Sequence, residues 1–265
     1  MLSLERQIMA ESGMQLGHSR RWYRVGYRVW DVIRRTLIFI FLSLCSPLLW
    51  AKQTADPCQP DLKIGSWCRL AINQLHPTQP GVGLLQVQTE ARALKHKSAK
   101  KLWALAEKKR IPVVIGPDGR FWLVDRHHLT RTLWSLGMRE VPVVIEGILT
   151  EPELFWSQMQ AHHWAWLKDE RGHEVKPEQL PNHIALLPDY PYRSLAGFAE
   201  DAGLYAKQGQ IYFIEFAWAQ YLGEKLNWRQ VTADNLPTLL KASEILACLP
   251  AAATLPGYPG RACEE

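Results

Sequence analysis

The 265-residue chain reads as an α/β fold of the α+β kind, a small mixed sheet with helices followed by a mainly helical C-terminal lobe. Two observations carry this. Strand-like apolar runs concentrate before Ile148, whereas beyond it apolar residues recur at helical spacing. Pro-Val-Val-Ile also occurs twice, at 112–115 and 142–145, as two neighbouring strands of one sheet rather than as a repeat architecture.

Residues 1–51 read as a secretory signal. Six arginines lie between Arg20 and Arg35, an apolar run from Leu37 to Trp50 follows, broken by Pro47, and Ala51-Lys52 offers a cleavage edge. The run is short for a membrane span, so a membrane is expected only through an uncleaved signal. Ser19-Arg20-Arg21 resembles a twin-arginine signal, although the apolar core starts late for one, and Met9 or Met14 is the expected true start. The expected location is periplasmic or secreted. This segment holds seven arginines against Glu5, Glu11 and Asp31, so most of the formal charge of +5 leaves with it and about +1 remains. A near-neutral chain lacks the field of an avid duplex DNA binder. Cys58, Cys68, Cys248 and Cys263 remain, an even number in an oxidising compartment, with Cys58–Cys68 and Cys248–Cys263 the expected pairs. None has zinc-site spacing.

Residues 58–149 form the expected first domain. Arg92, Lys95, Lys97, Lys100, Lys101, Lys108, Lys109 and Arg110 crowd a helical region, read as a solvated face, the alternative being a polyanion groove. Pro117-Asp118-Gly119 is a tight-turn signal between strands at 113–115 and 121–124. Asp125 then looks like a helix cap, Leu129, Leu133 and Leu136 follow at helical spacing, and Gly137 is a stop. His127 and His128 thus fall in the first turn of a helix, with Arg131 a turn further on. Cations are disfavoured at this end, where free N–H groups already present positive charge. One resolution keeps both histidines neutral and hydrogen-bonded, with Arg131 paired to Glu140 or Asp125. The other makes the turn a phosphate or carboxylate cradle, with the histidines as donors or proton shuttles near neutral pH.

Residues 150–249 form the expected helical lobe. Thr150 and Glu153 make a capping box with Pro152 early in a helix that runs through Leu154, Phe155, Gln158, Met159 and His162. Ile214, Trp218, Tyr221 and Leu222 mark a second helix and 237–248 a third, with a proline-rich surface loop at 176–191 and a flexible tail at 250–265. Most of the twelve tryptophans, including Trp103, Trp134, Trp164, Trp166 and Trp218, are expected in packing rather than base stacking, and Trp122 is expected buried on the face of Val124. His162-His163 is a second histidine pair, of which only one can face a shared site. A divalent metal held by His127 or His128 with His162 and Asp125 or Asp189 is conceivable; no ligand spacing demands it, so no metal ligand is assigned and the cofactor stays open.

The box Asp125-Arg126-His127-His128-Leu129 resembles the phosphate-binding signature of the ParB/sulfiredoxin superfamily, and Leu75-His76-Pro77-Thr78-Gln79-Pro80 resembles the segment that precedes it in ParB proteins. The order of elements from Leu62 to Leu149 agrees. Secreted ParB-like nucleases are most similar, sharing both boxes and Pro191-Tyr192-Arg193-Ser194-Leu195-Ala196-Gly197. Departures narrow what carries over. Arg126 stands where the superfamily has a small residue, Leu129 where it has the box arginine, and Gly81 where an arginine follows Gln-Pro. His127 replaces the sulfiredoxin cysteine, excluding that chemistry, and Gln79 replaces the glutamate on which serine-kinase relatives rely.

The resemblance implies a nuclease, phosphodiesterase or nucleotide-phosphate hydrolase acting at the Asp-x-His-His site on a nucleotide or nucleic acid. His127, His128 and Asp125 are its candidate catalytic residues, and Arg131, Arg126, Gln79, His76 and Arg193 its candidate phosphate ligands. Arg193 is alternatively an anchor against Asp189 or Asp201, and Glu215 and Glu200 are further candidates for a general base. The competing expectation is a non-catalytic nucleotide-, anion- or protein-binding module that kept the fold.

Overall fold

A computed structural model describes residues 56–207, 209, 211–258 and 260. The expected signal and Cys263 lie outside them. The strands are β1 (Trp67–Ala71), β2 (Leu75–Pro77), β3 (Pro112–Ile115), β4 (Phe121–Leu123) and β5 (Glu140–Ile148). The helices are α1 (Leu84–Leu94), α2 (Ala99–Lys109), α3 (His127–Ser135), α4 (Phe155–Ala161), α5 (Pro191–Asp201), α6 (Ile214–Lys225) and α7 (Leu236–Ala247). The α+β reading holds, with the strands grouped in one mixed sheet of order β1-β5-β3-β4-β2.

The two Pro-Val-Val-Ile strands are parallel neighbours, Pro112 opposite Val144 and Val113 opposite Ile145. β3 and β4 form the expected hairpin, closed by the Gly116 N–H on the Arg120 carbonyl at 2.8 Å, with Gly119 at φ +76°. Alternation along β3 sorts its side chains to two faces. Val113 and Ile115 join Leu123, Leu133, Val143 and Ile145 in the main core, whereas Val114 joins Trp122, Phe155 and Met159 on the other face. Trp122 is buried there, with Val124 packed alongside. Cys58 and Cys68 form a disulfide that ties the strand-preceding loop to β1.

α3 ends as expected. Gly137, at φ +87°, lets Met138 donate its N–H to the Leu133 carbonyl, and Gly137 itself donates to Trp134. Its start differs. Arg126, not Asp125, is the capping position, in the left-handed region at φ +65°, and no side chain caps the helix; the Asp125 carboxylate instead accepts the Arg126 N–H at 2.6 Å. The Thr150–Glu153 capping box is also absent. Pro152–Leu154 form a 3-10 turn with no side-chain cap, and α4 starts only at Phe155.

The C-terminal lobe packs α5 against α6 and α7 around Leu195, Trp218, Leu222 and Leu239, with Tyr205 stacked on Trp218 at 4.7 Å. α5 falls on the Pro191–Gly197 motif, with Pro191 at its first position, where the missing N–H costs nothing. Residues 250–258, expected as a flexible tail, are held. Ala252 is fully buried, the Trp218 indole N–H donates to the Pro256 carbonyl at 2.8 Å, and the Ala206 N–H donates to Gly257. Trp103, Trp134, Trp164 and Trp166 are partly buried and Trp218 wholly, in line with packing. The eight basic residues around α1 and α2 are solvent-exposed. Among the described residues no helix is long and apolar enough to cross a membrane.

Candidate functional site

The first box, Leu75–Pro80, forms β2 and the start of a loop that runs on to Gly83, and neighbouring segments hold this loop by its backbone. Val82 donates its N–H to the Pro188 carbonyl and accepts the Tyr190 N–H across a short bridge to Asp189, the Leu84 N–H donates to the Asp189 carboxylate at 2.8 Å, and the Thr78 carbonyl accepts the Trp166 N–H. The second box grips it from α3. His127 Nε2 accepts the Thr78 N–H at 3.2 Å, and His128 Nε2 accepts the Gly83 N–H at 2.9 Å. Because each Nε2 is an acceptor, each neutral ring carries its proton on Nδ1. For His127 that proton goes to the Leu123 carbonyl, which also accepts the Thr78 hydroxyl at 2.7 Å, so both its ring nitrogens are committed. Among the described residues His128 has no such second partner.

Burial, and then the positive charge of Arg193, holds the pKa of both imidazoles down to about 3. Desolvation thus outweighs the favourable charges around them, which favours neutral, hydrogen-bonded rings over proton shuttles near neutral pH.

Arg193 is the cation at the centre. Its guanidinium is buried against the Phe216 ring at 4.1 Å, with Nε unpartnered. Neither Asp189 nor Asp201 anchors it: Asp189 is taken by Leu84, and the dominant opposite charge on Arg193 is Glu215. Burial lowers the Arg193 pKa, with Glu215, Tyr205 and Glu200 opposing. Burial alone would raise the Glu215 carboxyl, yet Arg193 and Lys207 outweigh it and hold Glu215 at about 2. Lys207 closes the cluster at the surface, 2.8 Å from Glu215 and 3.5 Å from Glu200, and within electrostatic reach of Asp125. The start of α3, the first turn of α5 and the first turn of α6 thus converge on one charged centre. That centre comprises His128, Arg193, Glu215 and Lys207.

The other expected site residues divide. Gln79 is buried in the loop that the histidines hold and turns its amide N–H onto the Gly81 carbonyl at 2.7 Å. Asp125 and Arg126 are exposed and pair with each other at 3.5 Å, and Arg126 Nε also donates to the Lys109 carbonyl. Arg131 pairs with neither expected carboxylate, since Glu140 pairs with Arg69 and Asp125 with Arg126; burial lowers its pKa and its Nε is unpartnered. His76 lies apart, in a cavity against Trp122. His162 and His163 stack on Trp164 and Tyr212, and the described residues include no group of three or more His, Cys, Asp or Glu that could hold a metal ion.

Residues 68–224 match the family described as "Putative ParB-like nuclease". The chain belongs to this ParB-like nuclease family. Among solved structures it is similar to the crystal structure of protein Atu1540 from Agrobacterium tumefaciens, 31% identical, with a TM-score of 0.62 over 74% of this chain and 99% of that one. No curated protein matches the chain. The ParB-like nuclease match runs from β1 to near the end of α6, well past the Leu62–Leu149 stretch that carries the two boxes. It therefore takes in Arg193, Lys207 and Glu215, so the charged centre lies wholly inside the family's extent. Of these, Lys207 had no signal in the sequence, because it sits in an irregular segment and its partners lie in two different helices.

Proposed function

We propose that this ParB-like protein binds a phosphate group of a nucleotide or single-stranded nucleic acid at the Arg193 centre and hydrolyses a phosphate ester there. The observation that carries the reading is the buried guanidinium of Arg193, a cation with no ion pair within 4 Å among the described residues and an unpartnered Nε, within electrostatic reach of the His128 imidazole. A desolvated arginine favours an oxyanion, and an anion there would offset the cost of its burial. Lys207 marks the entrance.

In this reading water attacks phosphorus, the bond from phosphorus to the leaving oxygen breaks, and the water's proton ends on that oxygen. Arg193 and the His128 Nδ1–H stabilise the charge that develops on the non-bridging oxygens. His127 holds the loop and touches no substrate. Asp125 orients Lys207 rather than acting as a base, and Arg126, Arg131 and Gln79 are not assigned to the phosphate. The near-neutral charge expected of the chain without residues 1–51 suits a nucleotide or single strand better than a duplex. The Cys58–Cys68 disulfide supports a periplasmic or secreted location.

The engagement of both Nε2 atoms by backbone N–H groups favours a second reading, a binding module without turnover. Hydrolysis of bis(p-nitrophenyl) phosphate and of a labelled single-stranded oligonucleotide separates the two. Turnover lost in His128→Ala and Lys207→Met, with the fold kept by circular dichroism, supports the enzyme. Oligonucleotide binding without turnover supports the module. Neither binding nor turnover overturns both.

A further inference from the structure

The cavity that holds His76, of about 470 Å³, opens on the face of the sheet that bears Trp122, away from the core in which Leu129 and Leu133 lie. Its walls are aromatic. Trp122 and Trp156 meet at 80° with ring centroids 4.9 Å apart, forming a corner in which a flat ring stacked on one indole would turn its edge to the face of the other. Pro117, Pro152 and Pro177 add flat apolar surface around it.

The polar groups are few and unequal in sign. Asp118 and Arg120 are ion-paired to each other, and the Arg120 guanidinium lies over Trp122 at 5.4 Å, so the one cation of the wall is already committed. His76 is tilted against Trp122 at 5.1 Å, and burial followed by Arg120 lowers its pKa, leaving it uncharged. Glu178 is exposed at the rim and makes no ion pair among the described residues. The cavity therefore carries a net negative charge, the opposite of what a phosphate requires. Its volume is that of a small-molecule site, with aromatic walls and a small number of polar groups to fix orientation.

We propose that this cavity is a binding site for a planar nitrogen heterocycle bearing an exocyclic amino group, stacked on Trp156 and donating to the Glu178 carboxylate. Such a ring occurs as a free nucleoside or as a base within a strand. It is distinct from the Arg193 centre and does not depend on phosphate.

Isothermal titration of the protein with cytidine, uridine and a short cytidine oligonucleotide tests it. Cytidine is expected to bind, and uridine, which lacks the amino group, to bind about fivefold more weakly. Trp156→Ala is expected to weaken cytidine by about tenfold. Because Trp156 also packs on Phe155, Glu178→Gln at the exposed rim gives the independent check, expected to bring cytidine down to the level of uridine. His128→Ala and Lys207→Met are expected to leave cytidine binding unchanged, so failure at the Arg193 centre does not imitate failure here. The proposal is overturned if cytidine does not bind, if it binds no better than uridine, or if Glu178→Gln leaves its affinity intact. It is equally overturned if only the oligonucleotide binds and that binding vanishes in Lys207→Met.

Discussion

The Nε2 atom of His128 accepts the backbone N–H of Gly83 at 2.9 Å, and this contact ties the second sequence box to the loop that follows the first. The consequence runs further than the pair. The loop that His128 and His127 hold is the surface on which α5 rests, since Ser194 Oγ accepts the Gln86 N–H and lies directly over Gly83. Arg193 is the residue just before Ser194. The histidine box therefore positions the buried cation through the loop.

Gly83 is where this arrangement is least forgiving. A Cβ built there would lie 2.4 Å from Ser194 Oγ and 2.5 Å from the Ser194 backbone nitrogen, and backbone cannot swing aside as a side-chain tip can. Gly83→Ala is expected to destabilise the fold by about 2–3 kcal/mol through overpacking. Urea denaturation at pH 7 measures this, and a loss below about 0.5 kcal/mol would mean that α5 is not seated on the loop as described.

The two histidines are expected to behave differently on truncation. His127→Ala leaves the Thr78 N–H without an acceptor and opens a void in a site that is 5% exposed, a loss of about 3 kcal/mol. His128→Ala strands one partly buried N–H and is expected to cost about 1–2 kcal/mol. Equal losses in parallel denaturation curves would contradict the assignment of His127 to scaffold and His128 to the anion.

What was legible in the sequence was local. The Pro117-Asp118-Gly119 turn, the Gly137 stop and the paired Pro-Val-Val-Ile strands each carry their own signal within a few residues, and each is where it was expected. The cap at Asp125 failed because Arg126 adopts a left-handed conformation that its residue type does not announce. α5 was not anticipated, since Pro191–Gly197 stands out in the sequence only as a motif; Gly197 within that helix makes room for Gln86, whose side chain would lie 2.4 Å from an added Cβ. The dominant opposite charge on Arg193 was missed for a different reason. Glu215 sits on another helix, and nearer carboxylates at Asp189 and Asp201 compete for attention in the sequence, although one of them is spent on a backbone N–H.

Acid sensitivity follows from the same histidines. An imidazole held at about 3 in the fold and near 6.5 when unfolded binds its proton more readily in the unfolded chain. The stability it contributes is complete above about pH 6.5 and is lost as pH falls toward about 3. With two such groups the loss should reach several kcal/mol over that window. Unfolding free energies taken from pH 7.5 to 4.5 should fall steeply, and His127→Gln should flatten the slope by close to one proton. A flat profile in the unsubstituted protein would show that the rings are not enclosed.

The disulfide offers a separate handle. Cys58 and Cys68 are separated by 10 residues, and closing a loop of that size stabilises the fold by about 3 kcal/mol on the chain-entropy account. Reduction, or Cys58→Ser with Cys68→Ser, is expected to lower the unfolding free energy by that order. Cys68 is buried in the main core, so a double alanine variant separates loss of the link from burial of two hydroxyls. Stability unchanged by both variants would leave the link without a structural role.

Glu170 works in the opposite direction to the histidines. Its carboxyl is pushed up to about 7, by burial first and by the nearby Asp189 charge, even though the Tyr192 N–H donates to it. A carboxyl raised from about 4.5 is stabilising below the unfolded value, and that contribution is lost as pH climbs toward about 7, where the folded protein must also ionise it. Allowing for its partial exposure, the change is about 2 kcal/mol. Glu170→Gln keeps an acceptor for Tyr192 and removes the charge, so it should be more stable than the unsubstituted protein at pH 8 and indistinguishable from it near pH 4. Because Glu170 also counters the charge of Arg193, the same variant should tighten oligonucleotide binding at pH 8 if the phosphate sits at the guanidinium. A stability gain of equal size at both pH values would mean that the carboxyl is solvated and titrates as an ordinary glutamate.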